Sequence, residues 1–179
     1  MGKEPNARGV IFSLMGILIL LGLALIIGLL MSAVASTQTI KDPKEGKGPL
    51  DIREASLDHS DERLYFELVT TKRFDMRDLS RGARVFLTLD TGDGIEHVLT
   101  LVSGPKGKPM ASLGSCTADG CDWTDAGRGR KTGPRTLKIS VARKAVPGLS
   151  DRVEWWAGAV NASGASDFAP DSGAVMHHF

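Results

Sequence analysis

The sequence predicts an all-β chain: an antiparallel β-sandwich, jelly-roll or immunoglobulin-like, preceded by one N-terminal transmembrane helix. Three observations lead there. Residues 10–31, "VIFSLMGILILLGLALIIGLLM", carry no charge and match the ~20 apolar residues a helix needs to cross the hydrocarbon core. Downstream, apolar residues recur at every second position in short runs. Clusters of Gly, Pro and Asp separate those runs.

A soluble core helix would show a polar face, and here only Ser13 and a few glycines interrupt the apolar run. Ala33-Val34-Ala35 before Ser36 offers a small-x-small cleavage site. The apolar run is longer than an ordinary signal core, so an uncleaved anchor over residues 10–35 is expected. Secretion after cleavage following Ala35 is the alternative. Lys3 and Arg8 precede the helix, and Lys41, Lys44 and Lys47 follow it, so positive charge alone does not set the orientation. Long C-terminal domains translocate regardless of nearby charge. The expected arrangement is residues 1–9 in the cytoplasm, a single pass through the cytoplasmic membrane, and the rest outside. The polar stretch "STQTIKDPKEGKG", residues 36–48, reads as a linker. The folded domain is expected over residues 49–179.

Within that domain the alternation is regular. "PLDIREASL" sets Leu50 and Ile52 against Asp51 and Arg53. "RLYFELVTT" puts Leu64, Phe66 and Leu68 on one face, and "VFLTLDT" does the same for Val85, Leu87 and Leu89. "EHVLTLVS", "TLKISVA" and "VEWWAGAV" complete the set. Turn signals "HSDE", "TGDG", "GPKGKP", "GRGRKTGP" and "PGLSD" lie between them. About seven strands over roughly 120 residues with short turns make a sandwich. "DMRDLSRG" and "KAVPGLSD" each suit a helical turn.

Charge is almost balanced, with 22 Lys+Arg against 21 Asp+Glu. No basic field exists for nucleic acid. The two cysteines, Cys116 and Cys121, stand in "SLGSCTADGCDWTDAG". A zinc site needs four ligands, and no second Cys or His pair stands at ligand spacing. A redox pair favours Cys-x-x-Cys at a helix start. A disulfide in an extracytoplasmic domain is therefore expected. It closes a short loop, and its chain-entropy contribution is about 2 kcal/mol.

"GPLDIREASL", "LYFELVTT", "FLTLDTGDG", "LKISVAR" and "VEWWAGAV...DFAPDSG", in that order, resemble bacterial secreted or membrane-anchored domains of the DOMON-like and family 9 carbohydrate-binding-module-like type. The resemblance spans residues 42–173. It implies a β-sandwich, and ligands that include sugars and, in some branches, haem. The group often has a second acid in the "LDT" turn where this chain has Gly92, which weakens a metal site at that turn.

Candidate sites follow from residue chemistry. Asp90, Asp93 and Glu96 in "LDTGDGIE" offer oxygens of the kind calcium takes, without a full Asp-x-Asp-x-Asp-Gly loop. Asp167 and Asp171 in "SDFAPDSG" could complete such a site, as could Asp42 or Asp51. "VEWWAG" puts Trp155 and Trp156 on opposite strand faces, one toward the core. An outward indole is a flat apolar platform for the C–H face of a pyranose. Trp123 either folds over its own hairpin or meets a ligand. These three tryptophans are the candidate ligand contacts. His59, His97, His177 and His178 are scattered, the last two at an end expected to fray. Haem needs axial His or Met ligands facing one pocket; Met76, Met110 and His97 are available, but nothing specifies a pocket.

No nucleophile elbow, HExxH, paired-carboxylate motif or phosphate loop is present, so no enzyme is expected. No cofactor is expected apart from calcium. The leading expectation is a membrane-anchored, extracytoplasmic, non-catalytic binding module for carbohydrate or cell-wall glycan. The alternative is a structural accessory subunit of a membrane protein complex, for which Gly28-x-x-x-Ser32 supplies a small-xxx-small packing pattern.

Overall fold

The computed structural model describes residues 37–43 and 48–179. The expected membrane segment, residues 10–35, lies outside the described residues. Among the described residues no helix is long and apolar enough to cross a membrane. They belong to one compact unit, Ser36–Phe179, and are all-β with eleven antiparallel strands and three single turns of 3₁₀ helix.

The strands are β1 (Gln38–Lys41), β2 (Ile52–His59), β3 (Arg63–Thr70), β4 (Arg84–Asp90), β5 (Glu96–Ser103), β6 (Pro109–Thr117), β7 (Gly120–Lys131), β8 (Thr136–Ala142), β9 (Arg152–Val160), β10 (Ser166–Ala169) and β11 (Val175–His178). They form two antiparallel sheets. The first runs β1-β2-β3-β8 and ends on the C-terminal part of β7. The second starts on the N-terminal part of β7 and runs β6-β5-β4-β9. The free side of β9 is shared, with β10 on Ala157–Val160 and β11 on Arg152–Trp155.

Alternation builds both sheets. In β8, Leu137, Ile139 and Val141 are buried while the residues between them are half-exposed. Leu87 and Leu89 of β4, Leu99 and Leu101 of β5, and Leu57, Phe66 and Leu68 of the first sheet join one core with Trp155. Each such side chain contributes roughly 1.5–3 kcal/mol by leaving water.

The two sheets are joined differently at their two sides. On one side β7 passes from one sheet to the other. The register against β6 shifts between Ala111 and Ser112, so Ala126 is an extra residue there, and such bulges bend strands. At that corner a Cβ on Gly129 would lie 2.4 Å from Leu101 Cδ1, so only glycine lets the backbone come this near. On the other side the link is polar. The Ile52 amide donates to Asp167 Oδ2 at 2.6 Å, and Trp155 Nε1 donates to Gln38 Oε1 at 2.8 Å.

Three expectations change. The stretch expected as a linker supplies β1: Ile40 is buried and residues 38–41 pair with residues 54–57 of β2. The reason is a period-two pattern hidden among polar residues, with Gln38, Ile40 and Asp42 turned inward. The strand count exceeds about seven because β1, β10 and β11 are only four residues long. The C-terminal histidines are not frayed, since β11 pairs His177 with Val153 and His178 with Arg152. The helical turns do form, at Met76–Leu79 with an Asp75/Asp78 capping box and at Arg143–Ala145.

Candidate functional site

The cysteine pair closes the β6–β7 hairpin. Cys116 and Cys121 are cross-strand partners with Cα atoms 4.0 Å apart, and a disulfide joins them. Ala118 and Asp119 make the two-residue turn between the strands. Two residues past the bridge, Trp123 sits opposite Gly114. Its ring atoms Cζ3, Cε3 and Cη2 would lie 3.0–3.1 Å from a Cβ at Gly114. The indole therefore lies flat across a residue with no side chain. One ring face covers the β6 backbone and the other is open, leaving Trp123 53% exposed.

Trp123 borders a groove of about 510 Å³ on the outer side of the second sheet. Outward residues of successive strands line it. Ser112 supplies a hydroxyl, Phe86 a second ring and Arg84 a cation, over a floor of Val98 and the buried Thr88 and Thr100. The disulfide forms the wall beside Trp123. Phe168 of β10 meets Phe86 edge-on, with ring centroids 6.1 Å apart, and extends the aromatic surface. Trp156 faces outward on β9, half-buried, opposite Thr88. Trp155 is 0% exposed and belongs to the core, so it offers no surface to a ligand. Alternation in "VEWWAG" placed the two indoles on opposite faces, and the hydrogen bond to Gln38 marks which one is inside.

The acids divide into two groups. Asp42, Asp167 and Asp171 each bring a carboxylate oxygen within 4.8 Å of the others, with Asp42 and Asp167 buried and Asp171 exposed. Hard oxygen donors of this kind suit Ca²⁺, and backbone or water oxygens would complete its six to eight ligands. Asp90, Asp93 and Glu96 are not part of this group. Their turn uses its carboxylates locally. Asp90 Oδ1 accepts the Gly92 amide at 2.8 Å, and Asp93 Oδ1 accepts the Thr91 hydroxyl at 2.7 Å and the Ile95 amide at 3.1 Å. The hydrogen bond from Thr91, then that from Ile95, holds the Asp93 carboxyl below the usual range.

Among the described residues no three of the histidines come together. His97 is buried on the inward side of β5, with Nδ1 3.2 Å from Ser115 Oγ. Met110 faces solvent, and Met76 packs against the core. His97 thus points inward and Met110 outward from the second sheet, so the two do not face one pocket. His59 Nδ1 and His177 Nε2 are 3.0 Å apart, linking the end of β2 to β11. The Phe179 ring meets both edge-on, and the Arg143 guanidinium lies 4.7 Å from that ring's centroid. His177 is 1% exposed. Burial first, and the neighbouring His59 second, push its pKa down to about 4.

A second groove, about 640 Å³, lies on the outer side of the first sheet. Its residues are the polar half of the strand alternation, which in sequence reads as an ordinary solvated face. The signal was present in "LYFELV", where Tyr65 and Glu67 take the outward positions.

Comparison with family models, with curated proteins and with solved structures gave no match to this chain.

Proposed function

We propose that this chain is a non-catalytic carbohydrate-binding module, held on the outer face of the cytoplasmic membrane by residues 10–35. In this reading the two sheets are a jelly-roll or immunoglobulin-like sandwich of the DOMON-like, family 9 carbohydrate-binding-module-like kind. The ligand is a sugar or cell-wall glycan, and Trp123 is its stacking platform. The observation that supports it is the placement of that indole, flat on Gly114 and 53% exposed, at the rim of a groove that also holds Ser112, Phe86 and Arg84. Binding sites of this type combine an aromatic surface with a few fixed polar groups. In the same reading Asp42, Asp167 and Asp171 hold a structural calcium ion.

A glycan array probed with the full chain tests the reading. Reproducible sugar binding that disappears in Trp123→Ala supports it. An array in which no sugar depends on Trp123 for its binding overturns it. A structural accessory subunit is the second reading, favoured by the exposed apolar surface of Trp123, Phe168 and Met110. Recovery of a stoichiometric membrane-protein partner that is lost on Phe168→Asp supports that reading instead.

A further inference from the structure

We propose that the outer face of the first sheet is a second saccharide site, which takes a neutral, linear oligosaccharide lying across the strands. It shares the ligand class of the proposed function and stands on a different face of the molecule. The register creates the site. Thr39 pairs with Ser56, Ser56 with Glu67, Glu67 with Lys138, and Lys138 with Arg130. One row of hydrogen-bonding side chains thus crosses five strands. A second row runs beside it: Asp58 pairs with Tyr65, and Tyr65 with Ser140. Four strand spacings measure about 19 Å, the length of about four extended sugar units.

The chemistry of the rows fits hydroxyl groups. Tyr65 is 42% exposed and is the aromatic ring of the groove's open side. Around it stand two acids, Asp58 and Glu67, and two cations, Arg130 and Lys138. Their charges cancel, so the groove has no net preference for an anion or a cation. Lys138 and Glu67 are already paired at 2.5 Å and remain partly exposed. Such a pair presents a donor and an acceptor side by side at fixed spacing, the pattern that two adjacent sugar hydroxyls satisfy. Arg63 holds Ser140 from the flank, donating to its carbonyl at 3.0 Å and its hydroxyl at 2.9 Å. The face is therefore partly preorganised, which lowers the entropy lost on binding.

The test titrates cellotetraose, xylotetraose and chitotetraose into the full chain, kept in a zwitterionic detergent that carries no sugar. Calorimetry reads affinity, and amide NMR shifts read location. At least one tetrasaccharide is expected to shift residues of β3 and β8. Tyr65→Ala should weaken it by about tenfold or more, the scale of one lost aromatic contact. Tyr65→Phe, which keeps the ring, should restore most of the affinity and guards against a folding defect. The shifts of β3 and β8 residues, and the affinity read from them, should persist in Trp123→Ala even where binding at the Trp123 groove is lost. If no tetrasaccharide binds, the proposal fails. It also fails if binding is lost in Trp123→Ala but not in Tyr65→Ala, a result that would leave the proposed function standing. Shifts of the same residues that follow protein concentration and not sugar would show a face between copies, and would overturn it as well.

Discussion

Trp155 Nε1 donates to Gln38 Oε1 at 2.8 Å, and this bond ties β9 of the second sheet to the edge strand β1 of the first. The indole is buried, so no water readily replaces the acceptor. Gln38→Ala should therefore destabilise the domain by about 1–3 kcal/mol, the cost of stranding a buried donor. Chemical denaturation checks this. An unchanged midpoint would mean that the indole N–H finds another acceptor.

His177 sets a pH dependence. Its folded-state pKa is about 4, against 6.5 when unperturbed. Well above pH 6.5 both states are neutral and the group has no effect. Below that the unfolded chain takes up a proton that the folded chain refuses, so stability falls with pH down to about pH 4. The loss at the acid end is on the order of 3 kcal/mol. His177→Asn should flatten this part of the stability profile. A profile identical to that of the parent would show that other groups cause the acid sensitivity.

The disulfide should act locally. Protein denatured without reductant should show no free thiol on labelling. Cys116→Ser with Cys121→Ser should cost no more than about 2 kcal/mol, because the closed loop is short. The loss should appear as faster amide exchange in β6 and β7 near the turn, with β3 and β8 unaffected. Global unfolding of the double variant would contradict a local role.

Calcium should raise the melting temperature, since a ligand bound only by the native state stabilises it by mass action. Asp171→Asn should abolish that rise. Asp90→Asn should not, because its carboxylate is engaged with the Gly92 amide in its own turn. A rise that survives Asp171→Asn would place the ion elsewhere.

Much of this molecule was legible in one dimension. The inward positions of β3, β4 and β8 follow from strict alternation, and the Cys116–Cys121 pairing follows from a turn-forming "TADG" between the only two cysteines. These features depend on neighbours a few residues apart. The edge strands were not legible. Four residues of β1 carry a single strong apolar signal, Ile40, and their pairing is decided by β2 more than ten residues on. Likewise "MHH" reads as a frayed end until β9 supplies its partner.

The sequence alone determined that Trp155 and Trp156 point to opposite faces, because successive side chains in a strand must alternate. Only the tertiary structure decided that Trp155 is the inner one, since that depends on which face of β9 meets the other sheet. The same division holds for the acids. Their oxygen chemistry is a property of the residues, but the meeting of Asp42 with Asp167 and Asp171 requires the two sheet edges to close. That closure comes from the packing of a core whose parts lie more than a hundred residues apart, and local pattern carries no record of such distances.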